Sequence, residues 1–526
     1  MWHPVQHFEP YHSRPKVKMP SDKPKASRHT EIERKFAPSE SAVSPSFEGL
    51  SSISRVERSS VQSLDAVYFD TPAHDLAAHR ITLRRRTGGP DEGWHLKLPA
   101  GPDSRTEVRL PLGDGDPTSV PEDLRDVVLA IVRDRPLAPV ARIETTRTVN
   151  LLIGPSGSPV AEFCDDQVTA STPANDERQT WREWELELIG DTEPDEGAAL
   201  LTRLANRLFD AGAETAGHGS KLAKVLDQAR GEEPSPTPLK KPHPDPVHRA
   251  VAELVDELIV WDRAVRADAW DSVHQMRVVT RKIRSLLRAS EESFGLTDDS
   301  WLLNELKELA GILGVARDAE VLAEKYDKAI DALPEELVRG PVRERLVEGG
   351  KRRYQAGWKR SLSAMRSERY FRLLDGLEAL VAAEPSSATP GAEPAPPSLE
   401  SSYGSVRKAA KKAKAAAKDP DVSPEERDEA LHKIRKRAKQ LRYTAAALGD
   451  DKVADRAKAI QSLLGDHQDS VVSRTHLLQE AVVAHAAGED TFTYGVLFGK
   501  EAEVARDAEA QIEDALEKLK KAAGDG

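Results

Sequence analysis

The chain has one cysteine, Cys164, among 526 residues. That excludes an intramolecular disulfide and fits a reducing compartment. No apolar run is long enough to cross a bilayer. The N-terminus also lacks the apolar core of a secretion signal, so a cytoplasmic protein with no membrane partner is expected. There is no Gly-x₄-Gly-Lys-Ser/Thr run, which argues against a Walker-type ATPase. No His-Glu-x-x-His or paired Cys-x-x-Cys zinc pattern occurs either. Aromatic residues make up only 5% of the chain, and few stand beside basic ones, Tyr443 next to Arg442 being the main exception. Base stacking on single-stranded nucleic acid therefore has little to work with, and nucleic acid is not the expected partner. A formal charge of −12 shows no overall basic character. Charge is strongly segregated along the chain, however, so local faces have to be read instead.

At this length about two to four domains are expected. Residues 1–29 are rich in Pro, Lys, His and Ser without apolar periodicity and read as a disordered tail. From 30 to 190 apolar and polar residues alternate in eight short runs, at 30–36, 63–70, 81–87, 93–98, 105–111, 142–152, 159–169 and 179–189. Turn formers such as Gly88-Gly89-Pro90 separate several of them. Helices are expected near 121–133, 194–211 and 219–229. A Pro-rich linker covers 231–246, and beyond it everything reads helical. A low-complexity stretch at 382–402 divides that helical region into halves, about 247–381 and 403–520.

The polar faces of the candidate strands are charged almost throughout. Glu31, Glu33 and Lys35 share one face of the first run, with Ile32 and Phe36 on the other. Arg84 and Arg86 share another face, as do His95 and Lys97, and Arg105, Glu107 and Arg109. Glu183, Glu185 and Glu187 alternate with Trp184, Leu186 and Leu188. For the first run alone, a solvated sheet face would serve. Acidic strands open and close the domain while basic ones fill its middle. A closed barrel with an apolar, helix-covered outer face would turn these charges inward, around a polyanion and its metal.

The two helical halves resemble each other. His274, Arg277, Arg281 and Arg284 in the first match His432, Arg435, Lys439 and Arg442 in the second. Offsets of 0, 3, 7 and 10 place four such groups within an arc of roughly 80° on a helix. Met276, Val279 and Ile283 lie opposite, as do Ile434 and Leu441, whereas Arg437 spoils the second apolar face. Downstream, Leu313-Gly314 to Asp318 matches Leu464-Gly465 to Asp469, in the same order, which argues for duplication. A solvated basic face is the alternative for one copy. Two copies of mutually repelling like charges point to an anionic ligand.

Taken in order, these residues resemble the CYTH (triphosphate tunnel metalloenzyme) family joined to a CHAD domain. The likeness to CYTH spans roughly 29–228 and rests on Glu31-x-Glu33-x-Lys35, Tyr68-Phe69-Asp70-Thr71, Leu83-Arg84-Arg85-Arg86, Lys97, Arg147, Asp165-Asp166, Glu185-Leu-Glu187 and Ser220-Lys221. The likeness to CHAD covers about 243–520 and rests on the repeated histidine-basic helices. The resemblance implies an α+β multidomain chain, with an N-terminal closed eight-stranded antiparallel barrel and a C-terminal all-α domain of two related halves. It implies Mg²⁺ or Mn²⁺ as cofactor, with Glu31, Glu33, Glu185 and Glu187 as ligands or water-positioning carboxylates. Lys35, Arg84, Arg86, Lys97, Arg147 and Lys221 would then clamp phosphates, and Glu31, Glu33 and Lys35 would carry the chemistry.

Arg142 and Arg147 have opposite parity on a regular strand, so both point inward only with a bulge, and Arg147 is preferred. Asp165 and Asp166 differ in the same way, and Asp166, which shares parity with Glu162, is taken as the further metal ligand the resemblance implies. Glu183 either joins the acidic face or sits at the rim, and Arg105, Glu107 and Arg109 support the wall. The resemblance implies hydrolysis of triphosphate, with inorganic triphosphate as substrate and inorganic polyphosphate bound by the helical faces. A catalytically silent polyphosphate-binding protein, or a barrel acting on nucleotides or thiamine triphosphate, adenylate cyclases included, remain the alternatives. Oligomeric state is not legible.

Overall fold

The computed structural model describes residues 27–524, apart from 102, 174, 191–193, 231–245, 290–293, 298–299, 384–398 and 448. Both linkers therefore lie largely outside the described residues, as does the tail up to residue 26. Residues 27–29, expected as part of that tail, instead begin the first strand.

The strands are β1 (Ser27–Ala37), β2 (Arg55–Arg58), β3 (Gln62–Asp70), β4 (Thr82–Thr87), β5 (Gly93–Pro99), β6 (Ser104–Leu110), β7 (Ala138–Ile153), β8 (Pro159–Thr172), β9 (Asn175–Leu188) and β10 (Glu214–Thr215). Their order is β1-β6-β5-β4-β3-β7-β8-β9, and β9 pairs back onto β1, closing an antiparallel ring of eight. These eight are the expected runs. The short β2 and β10 carry no alternation that would have marked them, and they hang on β7 and β1.

The period of two carries the charged residues to the inside of this ring. Across neighbouring strands Tyr68 stands opposite Arg84, Arg84 opposite His95, and Lys97 opposite Glu107. Arg147 faces Asp166, Asp166 faces Glu183, Lys35 faces Glu185, and Glu33 faces Glu187. The other parity builds the outer core. Phe36, Phe163, Trp184 and Leu186 pack with Leu200, Leu201, Leu204 and Leu208 of α4 (Pro194–Asp210). The Trp94 and Phe69 rings lie 5.1 Å apart. Three short helices, α1 (Asp75–Ala78), α2 (Glu122–Val127) and α3 (Leu129–Val132), are inserted between strands. Buried Asp70 accepts from the backbone N–H groups of Thr71, Leu76 and Ala77 at 2.7, 2.9 and 2.9 Å, tying α1 to the end of β3.

Helix α5 (Lys221–Arg230) does something the sequence pattern did not indicate. Its Leu222, Val225 and Leu226 pack on Ala66, Tyr68, Ala141, Ile143, Val168 and Ala170. Those residues share the parity of Arg147 and Asp166, so α5 lies against the inner wall and carries Lys221 into it.

The remaining helices are α6 (Pro246–Arg266), α7 (Ser272–Ala289), α8 (Trp301–Asp331), α9 (Gly349–Met365), α10 (Glu368–Ala382), α11 (Leu399–Lys418), α12 (Pro424–Ala447), α13 (Asp451–Ala486) and α14 (Phe492–Ala522). No described helix is long and apolar enough to cross a membrane. The chain divides into two compact units, residues 1–310 with 362–385, and residues 311–361 with 386–526. Helices α6, α7 and α10 thus share a unit with the barrel. In the second unit α11–α14 enclose Val406, Ile434, Ala438, Leu441, Ile460, Leu464 and Ile512.

Candidate functional site

The inner wall of the barrel is a lattice of opposed charges. At one side, Lys35 donates to Glu33 at 2.9 Å and also to Glu185. Lys221 reaches Glu185 at 2.6 Å, Asp166 at 2.9 Å and Glu183 at 3.0 Å. Arg147 holds Asp166 and also meets Glu185. Burial alone would raise the Glu185 carboxyl, yet Lys221, Lys35 and Arg147 around it hold it well below the usual range. Glu33 is drawn down to about 2, because Lys35 and Lys97 outweigh its burial.

The opposite side is organised by Glu107, which is fully buried. It accepts from His95 Nδ1 at 2.8 Å and from Arg109, and lies 3.1 Å from His29 Nε2 and 3.9 Å from Lys97. Lys97 stands 2.5 Å from Glu31, which Arg109 also approaches at 3.3 Å. The strand pattern gives Glu107 only a supporting place in the wall, and the structure makes it the hub of this side. His29 carries no signal of its own, since it sits where the sequence reads as tail. Arg142 and Asp165 point outward, where Arg142 pairs with Asp65 and Asp165 with Arg182.

Two of the expected phosphate-binding cations differ from the rest. Arg84 reaches the Tyr68 hydroxyl at 3.4 Å, and Arg86 pairs with Asp91. Each keeps a buried Nε–H with no hydrogen-bond partner among the described residues. Burial and neighbouring Arg84 draw the Arg86 guanidinium down to about 10. Buried donors of this kind cost free energy unless an acceptor meets them.

The donor set also fits a hard divalent cation. Ligand atoms of His29, Glu31 and Glu107 lie within 4.8 Å of one another. Burial, with Glu31, Glu33 and Glu185 close by, pushes the Glu187 carboxyl up to about 7. Crowded carboxylates of this sort are relieved by a divalent ion with oxygen ligands. Cys164 is not part of that set: burial pushes its thiol well up, and Sγ lies 3.1 Å from Glu162.

In the helices, Met276, Val279 and Ile283 are buried on α7, and Ile434, Ala438 and Leu441 on α12. Arg437 is exposed and donates to Gln440, so the apolar face it was expected to spoil is instead completed by Ala438. His274, Arg277 and Arg284 are half-buried and Arg281 exposed; His432, Arg435, Lys439 and Arg442 are all half-buried. Arg277 and Arg435, which hold the same place in the repeat, each have a buried Nε–H without a hydrogen-bond partner among the described residues. The fourth position of each copy reaches the residue 19 positions on: Arg284 donates to the Leu303 carbonyl and Arg442 to Gln461, both at 3.1 Å. The duplication is therefore visible in side-chain geometry as well as in sequence.

A family model of the CYTH domain matches residues 29–211, and one of the CHAD domain matches residues 249–478. Uncharacterized proteins of two Mycobacterium tuberculosis strains, CDC 1551 / Oshkosh and ATCC 25618 / H37Rv, are each 60% identical to this chain over 516 residues, covering 96% of it and 99% of the relative. Among solved structures, PptA from Streptomyces chartreusis shares 20% identity, covering 53% of this chain and 100% of that one with a TM-score of 0.41. The CHAD domain from the plant Ricinus communis shares 22%, covering 52% of this chain and 90% of that one with a TM-score of 0.37.

Proposed function

Because the chain belongs to the families of the CYTH and CHAD domains, we propose that its barrel is a metal-dependent triphosphatase acting on inorganic triphosphate, and that its basic helix faces bind inorganic polyphosphate. The observation that carries the first half is the pair of buried Nε–H donors at Arg84 and Arg86 that have no acceptor among the described residues, on an inner wall that also holds carboxylates. A phosphoryl chain supplies the acceptors those donors lack.

Charge balance describes how the site would load. Lys35, Arg147 and Lys221 are held by Glu33, Glu185, Asp166 and Glu183, and Lys97 by Glu31. A triphosphate and a divalent cation entering together permit an exchange of partners without leaving a buried charge unpaired. The lysines and arginines would turn to phosphate oxygens, and Glu31, Glu33, Asp166, Glu185 and Glu187, with His29 and Glu107 beside Glu31, would be the residues that hold the metal. Mg²⁺ or Mn²⁺ bound there would neutralise charge on the phosphoryl oxygens and activate a water for in-line attack. With water attacking the terminal phosphoryl group, Arg84, Arg86 and Lys97 would orient the chain and stabilise the departing pyrophosphate.

Phosphate release from inorganic triphosphate, measured with Mg²⁺, with Mn²⁺ and with chelator, tests this reading. ATP, thiamine triphosphate and long polyphosphate run beside it as competing substrates. Metal-dependent release that disappears in Glu33→Gln is expected. A folded protein that releases phosphate from none of them overturns the enzyme and leaves a polyphosphate-binding protein.

A further inference from the structure

The segment joining β6 to β7 carries α2 and α3, and its chemistry is unlike that of a surface loop. Val128, Ala130, Ile131 and Val132 are 3% exposed or less, and Leu129 only 9%. A helix that is apolar all round has to be covered on more than one side. Helix α3 packs against α1 of the barrel on one side and α6 on another, and α2 packs against α6.

Charges around this junction are reciprocal. From the barrel side, Asp126 accepts from two arginines of the helical region, Arg266 at 3.1 Å and Arg366 at 3.0 Å. Also from the barrel side, Arg133 inserts between two helical carboxylates and pairs with Asp375 and Glu378 of α10. Arg133 is 2% exposed and holds a left-handed backbone, φ 58°, that a non-glycine residue adopts only at a cost. Arg266 is itself buried and built in: it grips Asp262 at 2.6 and 3.1 Å and donates to the Met365 carbonyl at 2.9 Å, while Tyr370 donates to Asp262 at 2.8 Å. One acid serving two bases and one base serving two acids, around a shared apolar helix, is a matched interface.

We propose that residues 121–135 are a docking surface by which the barrel is fixed to helices α6 and α10. The Pro-rich stretch at 231–245 then joins two bodies that are already held together, instead of letting the barrel swing independently. The docking segment is anchored on the barrel side too, since Arg135 meets Asp75 of α1 at 3.3 Å and Asp70 ties α1 to β3.

The test is a protease site placed in the 231–245 linker of the full chain. After cleavage at micromolar concentration and low salt, the two fragments are expected to co-elute in size exclusion. In Asp375→Arg/Glu378→Arg, they are expected to separate after the same cut. Both side chains are partly solvent-exposed, at 57% and 38%, so α10 tolerates the change. Adding Arg133→Glu to that variant restores the opposite pairing and is expected to recover co-elution. Separation of the cut wild-type fragments overturns the proposal, and so does unaltered co-elution of the cut double variant. None of these readouts depends on phosphate chemistry, so the dock stands or falls apart from the triphosphatase reading.

Discussion

Arg147 on β7 grips Asp166, directly across on β8, through two guanidinium nitrogens at 2.8 and 2.7 Å. Burial would raise the Asp166 carboxyl, but Lys221 and Arg147 overcome it and hold it low. A carboxylate held low contributes stability that is present above its ordinary value, near pH 4, and lost as pH falls through the depressed one. Asp166→Asn is expected to cost about 3 kcal/mol at pH 7, as breaking a buried pair does. The urea midpoint should converge with that of the wild type in acid.

Glu187 is displaced the other way, up to about 7. Its proton is held more tightly in the folded chain than in the unfolded one, so the stability it contributes is full below pH ~4.5 and lost as pH rises through 7. Glu187→Gln is therefore expected to match the wild type in acid. In the presence of chelator it should exceed it above pH 7 by on the order of 1–3 kcal/mol. Thermal melts across that range check it.

Arg84 makes a long hydrogen bond to the Tyr68 hydroxyl and lies in the field of the Glu107 and Glu31 carboxylates. Arg84→Ala is expected to lower kcat/KM for triphosphate about 100-fold, since it removes a donor from developing charge. Tyr68→Phe should cost only a few-fold. Steady-state phosphate release with circular dichroism as a fold control distinguishes the two.

The helix faces make a separate prediction. His274→Ala, Arg277→Ala, His432→Ala and Arg435→Ala together should abolish tight polyphosphate binding while leaving barrel turnover intact. Across single variants, the dependence of log affinity on log salt should flatten by about one unit for each phosphate-binding cation replaced. Fluorescence anisotropy at several salt concentrations measures both.

Most of the ring was legible because its strands obey one rule. Charge sits on one parity and Phe36, Leu83, Phe163 or Trp184 on the other, so a reader of the sequence can see both faces. Parity also separates Arg147 from Arg142 and Asp166 from Asp165. What it cannot convey is partnership across the ring. Glu107 looks like any wall residue until His95, Arg109 and His29 converge on it. Nor does amphipathicity tell an inner helix from an outer one: the helix expected near 219–229 gives no sign of its side until Tyr68 and Ile143 are found beneath α5. The docking segment was legible as a helix near 121–133 but not as an interface, because its partners, Asp375 and Glu378, lie in a distant part of the chain, 242 residues beyond Arg133 in the case of Asp375.

Closure of the ring by β1 against β9 also has a meaning for biosynthesis. Lys35 and Glu185 are separated by 150 residues. At roughly 5–20 residues per second on a ribosome, the first strand waits on the order of ten seconds or more for its last neighbour. Through that interval β1 is an open edge, the kind of strand that pairs with whatever is nearby. Its row of Glu31, Glu33 and Lys35 would discourage such pairing, as charges on natural edge strands do. The same three side chains proposed to carry the chemistry of the finished barrel would thus protect the unfinished one from its neighbours.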